Sequence, residues 1–193
     1  MIYLVRHCDY IDSGKWIPGR LPVQLSPKGT EQAEKLRDFF ADKNITKIYT
    51  SPVYRAVQTA EIISRESISP IKDIRLVETS CAYQGMRYDH GVDWHDNYGH
   101  LEELGGENLI DQEKRMRAFW DEMIKDETEN VVIVSHGHPL WTLYCSLTDH
   151  PLDQENMHES GNTSDPEYQK EGTIRPISLE NGTVTCEPLV NLA

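Results

Sequence analysis

The chain is poor in several things. Its 193 residues hold no apolar run approaching the ~18 residues that a membrane-spanning helix needs, and the first residues show no charged stretch followed by an apolar one, so neither a membrane span nor a secretory signal is expected. There is no C-x-x-C pair. The four cysteines stand alone at positions 8, 81, 145 and 186, which suits reduced thiols in a cytoplasmic protein better than a disulfide framework or a zinc site. Basic residues are scarce: 19 Lys and Arg face 32 Asp and Glu, a net charge of −13. A nucleic acid or an anionic membrane surface is therefore excluded as the expected partner, because affinity for either comes mainly from cations. A small anionic substrate is compatible with the balance if a few basic side chains converge in a cleft that concentrates their field. No internal repeat or linker is visible, and one domain over residues 1–193 is expected.

What is present alternates between strand and helix signals. IYLV (2–5) reads as a buried strand, and residues 11–25, with Gly14, Pro18, Gly19 and Pro22, as a loop. Ser26 is placed to cap a helix whose first position is Pro27 and whose inner face carries Ala33, Leu36 and Phe40. TKIYT (46–50) reads as a second strand, with Ser51-Pro52 opening a helix with Val53, Ala56, Val57, Ala60 and Ile63 inside. IRLV (74–77) fits a third strand. Residues 80–108 have no clean period and read as loop or cap. Residues 109–126 form a helix on Leu109, Met116, Phe119, Trp120 and Met123; VVIVS (131–135) is a buried strand, and LWTLYCSL after His-Gly-His-Pro is a helix. Residues 149–172 read as an exposed polar loop. Asn181-Gly182 marks a closing hairpin, and Pro176 assigns its first strand to a sheet edge. The pattern predicts a three-layer α/β/α sandwich with a mostly parallel central sheet.

Three strand ends carry chemistry: Arg6-His7 after IYLV, Arg55 in the turn after KIYT, and Ser135-His136-Gly137 after VVIV. Parallel strands bring their carboxyl ends to one edge, where ligands bind in such sheets. A lone Arg or His at a strand end is usually a surface or capping residue, but two guanidiniums, two imidazoles and helix N-termini at one edge suit a phosphoryl group. Two other signals compete. Cys81 and Arg87 have the C-x5-R spacing of cysteine-dependent phosphatases, without a clear strand and helix around them. His90, His95 and His100, with Asp93 and Asp96 between, hold potential metal ligands, but a five-residue step turns roughly 140° on a helix and spreads them around it. A solvated or substrate-facing cap is the expected reading there.

The motifs also resemble a known family. LVRHCDY is similar to the Leu-Val-Arg-His-Gly-Glu opening of the histidine phosphatase superfamily, also called phosphoglycerate mutase-like. LSPKGTEQA, IYTSPVYRAVQTAEII, GGENLIDQEKRMRAFW and VVIVSHGHPL resemble later segments of that family in the same order, over residues 1–145. The resemblance implies a phosphoglycerate mutase-like fold and a phosphomonoesterase that needs no metal or other cofactor and acts on a small phosphorylated substrate. His7 would be the nucleophile, passing through a phosphohistidine. Arg6, Arg55 and His136 would hold the phosphoryl oxygens, helped by Ser13, Gly19 and Gly137, and Glu78 would be the proton donor. Glu102, Glu103 and Glu107 are rivals for that last role. The chain departs from the family at Cys8, where glycine is usual, at Ser13, where many members carry asparagine, and in SCAYQG after Glu78. A phosphoglycerate mutase-type transferase and a weakly active phospho-ligand binding module remain as alternatives.

Overall fold

The computed structural model describes residues 1–88, 105–126, 129–152, 165–180 and 182–192. Among these, the elements in chain order are β1 (Ile2–Arg6), α1 (Pro27–Phe40), β2 (Ile45–Thr50), α2 (Tyr54–Ser64), β3 (Ile71–Lys72), a 3-10 turn (Ile74–Leu76), α3 (Leu109–Asp126), β4 (Asn130–Ser135), α4 (Gly137–Thr148), β5 (Ile174–Glu180) and β6 (Thr183–Cys186). Six strands form one sheet in the order β3-β2-β4-β1-β5-β6. β1, β2, β3 and β4 pair in parallel, and β5 runs antiparallel to both β1 and β6.

Period-two alternation divides the core into two layers. Tyr3 and Val5 of β1 join Ile48, Val132 and Val134 on one face, covered by Ala33, Leu36 and Phe40 of α1 and Ala56, Ala60 and Ile63 of α2. Ile2 and Leu4 join Val131, Ile133 and Ile177 on the other, covered by Met116, Phe119, Trp120 and Met123 of α3 and Leu140 and Leu143 of α4. The expected three-layer α/β/α sandwich is the observed fold. Burial of a Met or Phe side chain contributes about 1.5–3 kcal/mol, so the apolar stripe of α3 is enough to seat it. Ser26 caps α1 by accepting a hydrogen bond from the Gly29 N–H at 3.0 Å, with Pro27 at the first helical position.

Four expectations are corrected. IRLV is not a strand: β3 lies earlier, at Ile71–Lys72, and residues 74–76 form a 3-10 turn. The Asp73 carboxylate accepts from the Arg75 N–H at 2.8 Å and also binds the Arg75 guanidinium, so a side-chain cap competes successfully with the sheet ladder. Ser51-Pro52 does not open α2, which starts later, at Tyr54 behind Val53, without a side-chain cap. Pro176 is not in an edge strand, since β5 lies between β1 and β6. Its carbonyl accepts from the Glu187 N–H at 2.9 Å, beyond the last residue of β6. The N–H that proline lacks faces that same side, so no ladder bond to β1 is lost. Residues 165–172 are not simply exposed: Tyr168 and Gln169 are buried against the end of β1. Residues 153–164, and Asn181 of the hairpin turn, lie outside the described residues; Gly182 has φ +80°.

Candidate active site

The parallel register aligns the chemistry. Arg6 of β1 pairs with Ser135 of β4, and Thr50 of β2 pairs with Val134. The residues that follow, His7, Ser51 and His136, therefore emerge together at the carboxyl edge of the sheet, and all three are buried. α2 begins just after its strand and delivers Arg55 from its first turn. α4 starts at Gly137, three residues earlier than the apolar pattern suggests. Pro139 is tolerated there because first-turn N–H groups have no intrahelical acceptor.

Arg55, only 1% exposed, is the hub. Its Nε donates to His7 Nε2 at 3.0 Å, and its Nη2 reaches His136 Nδ1 at 3.1 Å, the Gly19 carbonyl at 3.0 Å and Glu78 Oε2 at 3.5 Å. A guanidinium only donates, so both contacted ring nitrogens are acceptors and the tautomers follow. His7 carries its proton on Nδ1, bonded to the Cys8 carbonyl at 2.8 Å, and keeps the Nε2 lone pair free of hydrogen. His136 carries its proton on Nε2 and donates to Ser51 Oγ at 2.8 Å. The two rings lie 5.0 Å apart. Burial, followed by the charges of Arg55 and Arg6, holds His7 well below the usual imidazole range, and burial and Arg55 do the same to His136. Both imidazoles are neutral in the neutral range. A neutral imidazole pinned through Nδ1 presents Nε2 as a nucleophile.

A cavity of about 170 Å³ opens beside these groups, lined by Arg6, His7, Gly19, Arg55, Glu78 and Gly137 among others. Arg55 Nη1 and Arg6 Nε are buried with no hydrogen-bond acceptor among the described residues. Buried polar atoms are nearly always paired, and charged donors most of all, so these two donors point to an anionic ligand. A wider groove of about 990 Å³ between α1 and α2 has no such convergence; Glu34, Arg37, Glu61, Arg65 and Glu66 line it with both signs of charge.

The remaining expected residues divide. Gly19 takes φ +47° and sends its carbonyl to Arg55. A Cβ on Gly137 would collide with the Tyr168 hydroxyl and press on Arg6 Nη1, so a larger residue there would displace Tyr168. Glu78 lies on the cavity wall, with Oε1 accepting from the Thr79 N–H at 2.9 Å. Ser13 is not among the lining residues; its hydroxyl bonds Tyr10 instead. Cys8 has no positive φ and is wholly buried in the core behind His7, with its thiol pushed up to about 12 by burial. It neither strains the strand end nor narrows the cavity. Cys81 lines the cavity but Arg87 does not and is exposed. Glu107 is engaged by Arg115 and Arg20. Glu102 and Glu103, and the histidines at 90, 95 and 100 with Asp93 and Asp96, lie outside the described residues.

Sequence reasoning missed Tyr10, His138 and Tyr168, which also line the cavity. His138 was legible in His-Gly-His-Pro, next to an expected site residue. Tyr168 had no local signal and arrives through tertiary packing. His7, Glu78 and His136 offer ligand atoms within 4.8 Å of one another, a spacing that could hold a metal. Arg55 already donates to both imidazoles and faces Glu78. The lone pairs that a cation would use are directed at a guanidinium, so the trio fits arginine rather than a metal. Among the described residues no helix is long and apolar enough to cross a membrane.

Comparison with known proteins agrees with this geometry. The sequence is 30% identical over 162 residues to phosphoserine phosphatase 1 of Hydrogenobacter thermophilus, covering 76% of this chain and 75% of the relative. The structure superposes on Bacillus stearothermophilus YhfR with TM-score 0.81 and 28% identity, covering 96% and 94% of the two chains. A phosphoglycerate mutase from Bacillus anthracis shares the fold, with TM-score 0.77, 20% identity and coverage of 97% and 91%. The family model described as the histidine phosphatase superfamily (branch 1) matches residues 2–171, so the His/Glu/Arg cluster at the sheet edge is that of a phosphatase-type hydrolase fold, and the chain belongs to this superfamily.

Proposed function

We propose that residues 1–193 work as one domain, a phosphomonoesterase that hydrolyses a small phosphorylated substrate through a phosphohistidine on His7. The observation that carries this reading is the state of His7: neutral, pinned by Nδ1–H to the Cys8 carbonyl, with the Nε2 lone pair beside Arg55. In the first half-reaction the Arg55 Nε–H turns from His7 Nε2 to a phosphoryl oxygen, and the freed Nε2 lone pair forms a bond to phosphorus while the bond from phosphorus to the ester oxygen breaks. Arg6, Arg55 and the N–H of Gly137 hold the other phosphoryl oxygens, and their charge stabilises the transition state more than the substrate. Glu78 gives a proton to the departing oxygen. In the second half-reaction the Glu78 carboxylate takes a proton from water, the water oxygen bonds to phosphorus, and the bond from phosphorus to nitrogen breaks, returning His7 and releasing phosphate. His136, expected to hold a phosphoryl oxygen, is instead read as a positioning residue, since it accepts from Arg55 Nη2 beside His7 and donates to Ser51.

Glu78→Gln should slow cleavage of alkyl phosphates by about 10²-fold or more, with a smaller loss for aryl phosphates, whose leaving groups need no proton. Parent-rate hydrolysis of an alkyl phosphate by this variant would place the acid elsewhere. The charge neutralisation that a divalent ion supplies in many phosphoryl-transfer sites is assigned here to two arginines. Turnover of an aryl phosphate should therefore survive exhaustive treatment with EDTA. Loss on chelation, with recovery on adding one divalent ion, would make the reaction metal-assisted.

A further inference from the structure

Arg6 is held by residues 168–173, which take no part in the bond changes above. Its backbone N–H donates to the Thr173 carbonyl at 3.2 Å, and its Nη1 to the Gln169 carbonyl at 2.9 Å. The Gly172 N–H lies 3.2 Å from the carbonyls of both Arg6 and His7. Gln169, buried, donates through Nε2 to the Leu4 carbonyl at 3.1 Å. The Arg6 guanidinium carbon lies 5.6 Å from the centre of the Tyr168 ring. These contacts fix the direction of the guanidinium. Glu171 adds something different: its Oε1 is 3.5 Å from Arg6 Nη2, long for a directing bond and close for a charge.

From this geometry we infer that Glu171 is a counter-charge that competes with the substrate's phosphoryl group for Arg6, and so limits how tightly the pocket holds phosphate. Arg6 Nε and Nη2 form one fork of the guanidinium. Nε has no acceptor among the described residues, while Nη2 is shared with Glu171. An anion that takes the fork therefore meets the carboxylate as a rival. Arg6 and Arg55 line this space, and Glu171 reaches Arg6 from outside the lining. Glu171 thereby offsets part of the positive charge that Arg6 presents to a phosphate dianion, which favours release of product as much as it tempers binding. Glu171 is partly exposed, with 23% of its side chain accessible, and belongs to none of the core clusters.

The inference rests on the phosphate-pocket reading, and one titration separates the two. Inorganic phosphate is titrated calorimetrically into the parent chain, Glu171→Gln and Glu171→Asp, with the same ion measured as a product inhibitor of aryl phosphate turnover. Glu171→Gln should bind phosphate roughly three- to fivefold tighter, the range of a part-exposed ion pair, with the gain shrinking as salt rises. Glu171→Asp, which keeps the charge, should stay near the parent. Glu171→Ala serves as a second charge-removing variant, and thermal melts check that each chain is folded. Unchanged or weaker binding in folded Gln and Ala variants overturns the inference, since a carboxylate that merely orients Arg6 loosens phosphate when removed. No phosphate binding by the parent chain would instead overturn the pocket reading itself, and this inference with it.

Discussion

His7→Ala should lower turnover of any phosphate monoester by on the order of 10⁴-fold or more, the scale of losing a nucleophile that works with its neighbours as a unit. It should also abolish transfer of label from a phosphorylated substrate to the protein. The label on the parent chain has a chemical signature, because a phosphoramidate is labile in acid and comparatively stable in alkali. Quenching with acid should discharge it and quenching with alkali should preserve it. Cys81 is the informative control, because it lines the same cavity as His7. Its C-x5-R partner does not line that cavity, and residues 82–85 form a turn rather than a strand and helix that would rigidly seat a thiolate. Cys81→Ser should keep most activity. A folded, inactive Cys81→Ser variant beside an active His7→Ala variant would reverse the assignment.

Arg55→Ala should cost about 10³-fold in kcat/KM or more, equivalent to about 4 kcal/mol of transition-state stabilisation. The size follows from how much one guanidinium joins: His7 Nε2, His136 Nδ1, the Gly19 carbonyl and Glu78. Its removal leaves these groups without a common partner in a buried space, and takes away a charge that faces the transferring oxygens. Arg55→Lys should recover little of the loss, because an ammonium is a single point and cannot donate along the diverging directions that the planar fork covers. Steady-state kinetics on variants whose melting transitions match the parent would show this. Near-parent kcat/KM in Arg55→Ala would remove the hub from the mechanism, and full rescue by lysine would reduce its role to charge alone.

The framework was readable because its signals are local or strictly periodic. Tyr3 and Val5 alternate with Ile2 and Leu4 across the sheet, and the α3 stripe from Leu109 to Met123 turns one face inward. Ser26 and Pro27 mark a helix start by their own chemistry. The expected meeting of Arg6, His7, Arg55 and His136 followed from one topological fact, that parallel strands end on the same edge. The errors have a common cause. IRLV looked like a strand because its apolar content was weighed without the Asp73 side chain that caps the turn. Pro176 looked like an edge residue because the direction of its missing N–H depends on where β6 ends.

What the sequence determined by itself was the order of strands and helices and the placing of reactive side chains at strand ends, since backbone periodicity and strand polarity are properties of short stretches. The tertiary structure alone decided which atoms face one another. It set the His7 tautomer through the Cys8 carbonyl, took Ser13 off the cavity wall, turned Cys8 into a core residue, and brought Tyr168 and Glu171 from more than 160 positions away to Arg6. Those outcomes depend on distances between segments remote in sequence, and hydrogen bonds and charges in a buried space act only over a few ångströms, a scale that no local pattern encodes.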